Sequence, residues 1–376
     1  IITEYGADVD PRLHSFSPVR FDYTQEYANL YHEHYIKAIM ERRYVVGANI
    51  WNLNDFHSEE RENAVPHINS KGITTLDRGL KDTYLHYQAM LNTKPVINIG
   101  GRLWTIRGGN EDENGMCRQS VKVYTNLEDI ELFLNGKSLG KMKVKDNITV
   151  FDVPFVNGQN TLDAVGMSGE KTVRDQLKID FRMIPGNLKE DKVPFQEINV
   201  MMGSKRYFED KTSAVIWLPE QEYVPGSWGH IGGEEYVKRT RHGQQPASDS
   251  NIKGTEMDPV FQTMRQGIKS FKLDVPDGEY TVNLYFAELI SDSAKVLLYN
   301  LGDDAIAENR GERIFDVSIN GIEVLHHLNI AKEYGELQAI IRKFTVYAKD
   351  GKGISVDFHS VKGEPILNAL RVYRNY

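Results

Sequence analysis

The sequence predicts a multidomain chain, α/β at its start and all-β thereafter. Three observations predict this. Over residues 1–94, apolar strand-like runs alternate with helical periodicity. From Pro95 the runs become short and are split by turn dipeptides, among them Asn135-Gly136 and Asn157-Gly158. From about 195 to 376 the runs lengthen and alternate more cleanly, with turns at Asp277-Gly278, Asn320-Gly321 and Asp350-Gly351. A length of 376 residues accommodates two or three such domains.

Each element follows from local chemistry. Ile1-Ile2-Thr3 reads as the end of a buried strand. Thr24 is placed to cap a helix, with Glu26 in its first turn, and Tyr27, Leu30, Tyr31, His34, Ala38 and Ile39 then recur at helical spacing through Arg42. A strand is expected over 44–51, a polar loop over roughly 54–71, and a second helix from about Asp82 to Asn92, stopped before Pro95. Strand, helix, strand, helix with buried strands implies parallel βα units. Residues 95–184 carry candidate strands at 96–99, 121–124, 131–134, 148–153 and 161–165, with both Asn-Gly pairs read as hairpins. This spacing suggests a small sandwich of immunoglobulin type. Residues 184–191 read as a polar linker. Candidate strands at 268–275, 279–289, 313–319, 341–347, 354–359 and 368–373 fit a larger jelly-roll sandwich over 195–376.

Composition narrows the function. Charged residues are 26% and hydrophobic residues 40%, ordinary for a globular chain. No apolar run approaches the ~20 residues that a membrane-spanning helix needs. A net charge of -8 argues against a basic nucleic-acid footprint. The single Cys117 excludes an intrachain disulfide framework and a cysteine-built zinc site. The sequence has neither a glycine-rich phosphate loop nor a Gly-x-Ser-x-Gly elbow. His32 and His34 are two apart on a helix, which does not put both rings on one face, and the neighbours His326 and His327 are expected on opposite faces of a strand. No metal or organic cofactor is expected. The 19 Tyr, 15 Phe and 4 Trp suit sugar binding and β-sheet cores alike.

Three places carry possible chemistry. Glu4 follows the opening strand, where a barrel enzyme would hold a catalytic carboxylate; alone, a surface Glu capping a helix is the plainer reading. Trp51 ends the next strand and is either a floor for a sugar ring or a core residue. Asn69 and Lys71, two apart in the following loop, offer amide and ammonium donors for sugar hydroxyls or a carboxylate; a solvated loop lysine is the plainer reading.

Taken together, Ile1-Ile2-Thr3-Glu4-Tyr5-Gly6-Ala7-Asp8, Leu13-His14-Ser15, Arg43-Tyr44-Val45-Val46-Gly47, Ile50-Trp51-Asn52 with Asp55-Phe56, Asn69-Ser70-Lys71-Gly72 and Asp77-Arg78 resemble glycoside hydrolase family 2. The order matches the last quarter of that family's (β/α)8 barrel. The resemblance implies that 1–94 holds strands 7 and 8, that Glu4 is the nucleophile of a retaining β-glycosidase, and that Trp51 lines the sugar subsite, its peptide bond to Asn52 being cis. His14 and Arg78 would support the site. The acid/base residue would lie on an earlier strand, so the chain is expected to be the C-terminal part of a longer enzyme that needs its upstream polypeptide as partner. An oligosaccharide or polysaccharide substrate, no cofactor, and a periplasmic or secreted location follow from the same resemblance.

The middle module, through residues 121–126 and 130–137, resembles the immunoglobulin-like domains that follow such barrels. The last module, through 258–263, 285–288 and 313–321, resembles malectin-like carbohydrate-binding domains. In those, loop aromatics and an acidic residue hold the sugar. Here Gln266 stands where an aromatic is expected, Glu364 lies near the acidic position, and Trp217, Tyr223 and Trp228 are candidate stacking faces. A β-galactosidase is the first expectation, from the order of modules. A β-glucuronidase is the second, from the Asn69-x-Lys71 pair, and a non-catalytic glycan-binding or scaffold fragment is the third.

Overall fold

The computed structural model of the chain describes residues 1–61, 65–189, 194–240, 243–290 and 312–375. It divides into two compact units, 1–18 with 23–183, and 19–22 with 184–376. The expected boundary at 94/95 therefore falls inside the first unit, while 183/184 separates the two.

In the first unit, strands Ile2–Tyr5 and Ala48–Ile50 pair in parallel, with Tyr5 opposite Ile50. The strand expected over 44–51 shrinks to three residues. Helix Gln25–Met40 starts where expected: the Thr24 side chain accepts from Tyr27 N at 3.2 Å. Its buried face differs from the expected one. Gln25, Ala28, Asn29, His32 and Ile36 face inward, and Leu30 is exposed. The reason is a polar interface. Asn29 accepts from the Thr83 hydroxyl (2.9 Å) and donates to the Tyr124 hydroxyl (3.3 Å), and His32 Nδ1 meets the Tyr87 hydroxyl at 3.0 Å. Buried polar groups that satisfy one another can replace an apolar stripe.

Helix Asp82–Leu91 fixes this α/β part to the β-module that follows it. The buried Asp82 carboxylate accepts from Gly101 N (2.8 and 3.0 Å) and from the Tyr124 hydroxyl (3.3 Å). The two strands and two helices do not close into a barrel among the described residues. Ile1, Tyr44 and Val46 are 81%, 78% and 81% exposed.

The module after Pro95 is a two-sheet sandwich. One sheet runs Lys137–Lys143, Asp129–Leu134, Gly158–Ser168, Lys171–Ile184, Ile106–Asn110; the other runs Ile148–Phe155, Cys117–Thr125, Ile97–Ile99. Val123, Ile130, Leu132, Val153, Phe155 and Phe181 fill the space between them. Asn135 and Gly136 form the expected hairpin, both at positive φ (51° and 80°), as a tight two-residue turn requires. Asn157-Gly158 does not. The strands on either side of it belong to different sheets, so this Asn-Gly is a corner between sheets.

The second unit is also a two-sheet sandwich. Its strands run Tyr207–Asp210, Val215–Pro219, Glu197–Met201, Ala369–Arg374, Gly278–Phe286, Ile340–Ala348 in one sheet, and Trp228–Ile231, Ser270–Leu273, Ile354–Lys362, Ile314–Ile319, Ile322–Leu328 in the other. Asn320-Gly321 turns the last hairpin with positive φ at both residues.

Candidate active site

Three segments far apart in sequence meet at the ends of the two parallel strands. Trp51 N donates to Tyr5 O at 2.8 Å, Asn52 N to Lys71 O at 3.1 Å, and Ile73 N to Asn52 O at 3.0 Å. Gly6 is the tightest point. A Cβ there would stand 2.0 Å from Trp51 O and 3.8 Å from Lys71 Cβ, so only a glycine lets the backbones approach. Tyr5, Gly6, Trp51 and Lys71 thus meet at one junction, and Glu4 directly precedes Tyr5 on the first strand. Glu4 is exposed and the Trp51 ring is 42% exposed, meeting Phe56 edge-on. The Trp51–Asn52 peptide is cis.

The loop that carries Asn69 and Lys71 is held from both sides. Strand Ile68–Asn69 pairs with Phe56–His57. The buried Asn69 side-chain oxygen accepts from Lys71 N (3.3 Å). Gly72 N donates to Asp55 Oδ1 (2.9 Å), and Lys81 Nζ donates to the same oxygen (2.8 Å) and to Ser70 O (3.1 Å). Burial pushes the Asp55 carboxyl up and the Lys81 ammonium down, each against the pull of the other. The Lys71 ammonium lies 3.9 Å from Asp8, whose carboxylate is already paired with Arg61 at 2.7 Å. Lys71 is partly exposed and meets Asp8 only at the long end of ion-pair range.

Sequence reading missed Asp55, Lys81, Asp8 and Arg61. Asp8 and Asp55 lay inside segments noted above, but their partners lie 53 and 26 residues further along and have no local signal. It also missed the row behind Glu4. Tyr5 meets the Tyr87 hydroxyl at 2.8 Å, and Tyr87 meets His32. Burial is the first cause that lowers His32 to about 4 and raises both tyrosines.

Other expected site residues have different surroundings. His14 is buried, stacked on Trp104 (4.2 Å, 4°), with Nδ1 at 2.9 Å from Glu26. Arg78 is exposed, on a turn at φ 64°. In the second unit, Trp217 and Trp228 are each 1% exposed and pack on Tyr285 and Phe271. Neither offers a ring face to a sugar, which corrects their assignment as stacking faces: both sit on core positions of β-strands. Tyr223 is part-exposed and donates to Asp274 at 2.8 Å; Glu364 is exposed beside Gly267. His326 and His327 do not point to opposite faces. His327 has φ 48°, and their rings meet at 3.8 Å.

Residues 200–370 match the Malectin domain family, and residues 118–174 match a domain of unknown function, DUF4982. A solved structure of Bacteroides uniformis β-glucuronidase is 36% identical and superposes over 100% of this chain with a TM-score of 0.88, the chain covering 41% of it. A second structure, of Bacteroides uniformis β-glucuronidase 2 covalently bound to cyclophellitol-6-carboxylate aziridine, matches equally well. The chain is a relative of family 2 glycoside hydrolases of β-glucuronidase and β-galactosidase type. A β-glucuronidase of Bacteroides fragilis is 30% identical over 191 residues, covering 48% of this chain and 26% of that protein. The β-galactosidase BoGH2A of Bacteroides ovatus is 29% identical over 148 residues, covering 39% and 16%. The chain thus spans about two-fifths of the structures it superposes on, and matches about a quarter or less of these curated relatives.

Proposed function

We propose that this chain forms the nucleophile-bearing part of a retaining β-glycosidase, and that the sugar it accepts is a glucuronide. What supports the reading is that the strand end carrying Glu4 meets Trp51 and the Asn69–Lys71 loop, through Gly6 packed on Trp51 O and beside Lys71. In this reading, residues 1–94 are the last two βα units of a (β/α)8 barrel. The exposed Ile1, Tyr44 and Val46 are surface that earlier strands would cover.

Glu4 attacks the anomeric carbon, and the glycosidic oxygen leaves with a proton from an acid on the upstream polypeptide. Water then hydrolyses the glycosyl ester, with the same acid acting as base. The part-exposed Trp51 ring packs on the sugar. The Asn69 amide and the Lys71 ammonium hold the uronate, a charge-assisted contact that a galactoside cannot make. His14 and Arg78 act as supports at a distance.

The order of expectation from sequence, galactoside before glucuronide, is reversed here. Two relatives named as β-glucuronidases match more strongly than the β-galactosidase. The galactoside remains the second reading because of that relative. A periplasmic or secreted location suits a glycan substrate and bacterial relatives; no helix among the described residues is long and apolar enough to cross a membrane.

Paired aryl glucuronide and aryl galactoside kinetics test the reading, on an enzyme of the relatives' length that contains this chain. Lys71→Ala is expected to lower kcat/KM for the glucuronide by about 100-fold, the loss of one charge-assisted contact. The galactoside should be barely affected. Equal effects on both substrates would exclude Lys71 as the uronate contact.

A further inference from the structure

The hairpin Ile314–Ile319/Ile322–Leu328 lies at one edge of the second unit's five-stranded sheet. Its register is broken. Phe315 pairs with Leu328 and Val317 with Leu325, so Asp316 alone opposes two residues, His326 and His327. This is a β-bulge, with His327 in the left-handed region at φ 48°. A regular strand would send the two rings to opposite faces; the bulge turns both toward Asp316. Phe315 and Val317 are fully buried, which leaves Asp316 on the outer face.

We propose that Asp316, His326 and His327 form a binding site for a divalent transition metal of the zinc type. The carboxylate Oδ1 of Asp316 lies 3.5 Å from His326 Nδ1 and 3.8 Å from His327 Nδ1. Bonds of roughly 2.0–2.1 Å in a tetrahedron put zinc ligands about 3.4 Å apart, so these atoms need little movement to share one ion. Two imidazoles and a carboxylate are a donor set that such ions accept. Glu323 Oε1, 3.0 Å from His326 Nδ1, is a further oxygen within reach. His326 and His327 also meet each other through a ring-nitrogen hydrogen bond, which metal binding would exchange for coordination. His359 faces Asp316 across the neighbouring strand, but its Nε2 is engaged with the Ser318 hydroxyl at 3.3 Å, and it is not a ligand. Bound there, the ion clamps the edge strand to its neighbour.

Calorimetric titration of the tag-free chain with Zn2+ alone tests this, with thermal melts alongside and Co2+ absorption as a second readout. One Zn2+ should bind per chain and raise the melting temperature. His326→Gln and His327→Asn should each weaken binding at least ten-fold and abolish the thermal shift. Asparagine tolerates the left-handed backbone, so the second variant removes the imidazole while keeping the bulge. His359→Gln should bind as the unaltered chain does. Absence of Zn2+ binding, or binding unaffected in both variants, would overturn the site and leave the histidines as polar edge protection. Loss only in His359→Gln would overturn the assigned ligands.

Discussion

The Lys81 ammonium reaches the Asp55 carboxylate at 2.8 Å with side-chain exposures of 1% and 5%, a buried ion pair that pins the loop carrying Asn69 and Lys71. Asp55 also receives Gly72 N, and Lys81 also holds Ser70 O, so both charges are spent on the loop backbone. Burial outweighs mutual attraction for each, so the pair serves geometry more than net stability. Lys81→Met, which strands Asp55, is expected to cost about 3–5 kcal/mol in urea unfolding of the chain. Adding Asp55→Leu should recover most of that loss, because no unpaired charge then remains. A double variant as unstable as the sum of the singles would contradict this.

The Tyr5–Tyr87–His32 row makes stability depend on pH. Burial holds His32 near 4 in the fold, against 6.5 when unfolded. Between these values the unfolded chain binds more protons, so stability is complete above about pH 6.5 and declines as pH falls toward 4, by about 3 kcal/mol for this group alone. His86, lowered first by burial, acts in the same direction. Unfolding measured at about pH 7 and about pH 5 should show the loss, and His32→Gln should reduce the slope.

Close approach at the site predicts which glycines can be replaced. A Cβ at Gly6 would lie 2.0 Å from Trp51 O, and one at Gly72 would lie 2.2 Å from Asp55 N. Both contacts are with backbone, so Gly6→Ala and Gly72→Ala should each cost about 1–3 kcal/mol through forced displacement. Gly47→Ala, with nothing within 4 Å, should be neutral within roughly 0.5 kcal/mol. Thermal melts of the three variants compare them directly.

In the second unit, Trp228→Ala should behave as a core deletion. The ring is 1% exposed and packs on Phe271, so a loss of about 3–5 kcal/mol is expected. Part-exposed Tyr223 is the better probe of glycan contact: Tyr223→Ala should alter glycan-array retention if this module binds sugar, with a much smaller effect on unfolding.

Local chemistry made much of this legible in the sequence. The Thr24 cap, the Asn135-Gly136 hairpin and the end of the helix at Leu91 before Pro95 depend on neighbours a few residues apart. Glu4, Trp51 and Lys71 were grouped only by the resemblance of their segments to a known family; from the residues alone, none had a reading better than its bland alternative. What stayed hidden depends on partners remote in sequence or on broken periodicity. Nothing near Asp55 announces Lys81. The inward turn of Asn29 and His32 follows from Thr83, Tyr124 and Tyr87, which lie 54 to 95 residues away. Asn157-Gly158 has hairpin composition, but its flanking strands are taken by different sheets. At His326-His327 strict alternation fails because one extra residue enters the strand.

The central claim is that Glu4 is the sugar-attacking carboxylate. Its most direct test is peptide mass spectrometry of an enzyme of the relatives' length containing this chain, after reaction with a carboxylated cyclophellitol aziridine. The account predicts one covalent adduct, on the Glu4 side chain, lost in Glu4→Gln. An adduct on a different carboxylate, or undiminished labelling of the Gln variant, would contradict it.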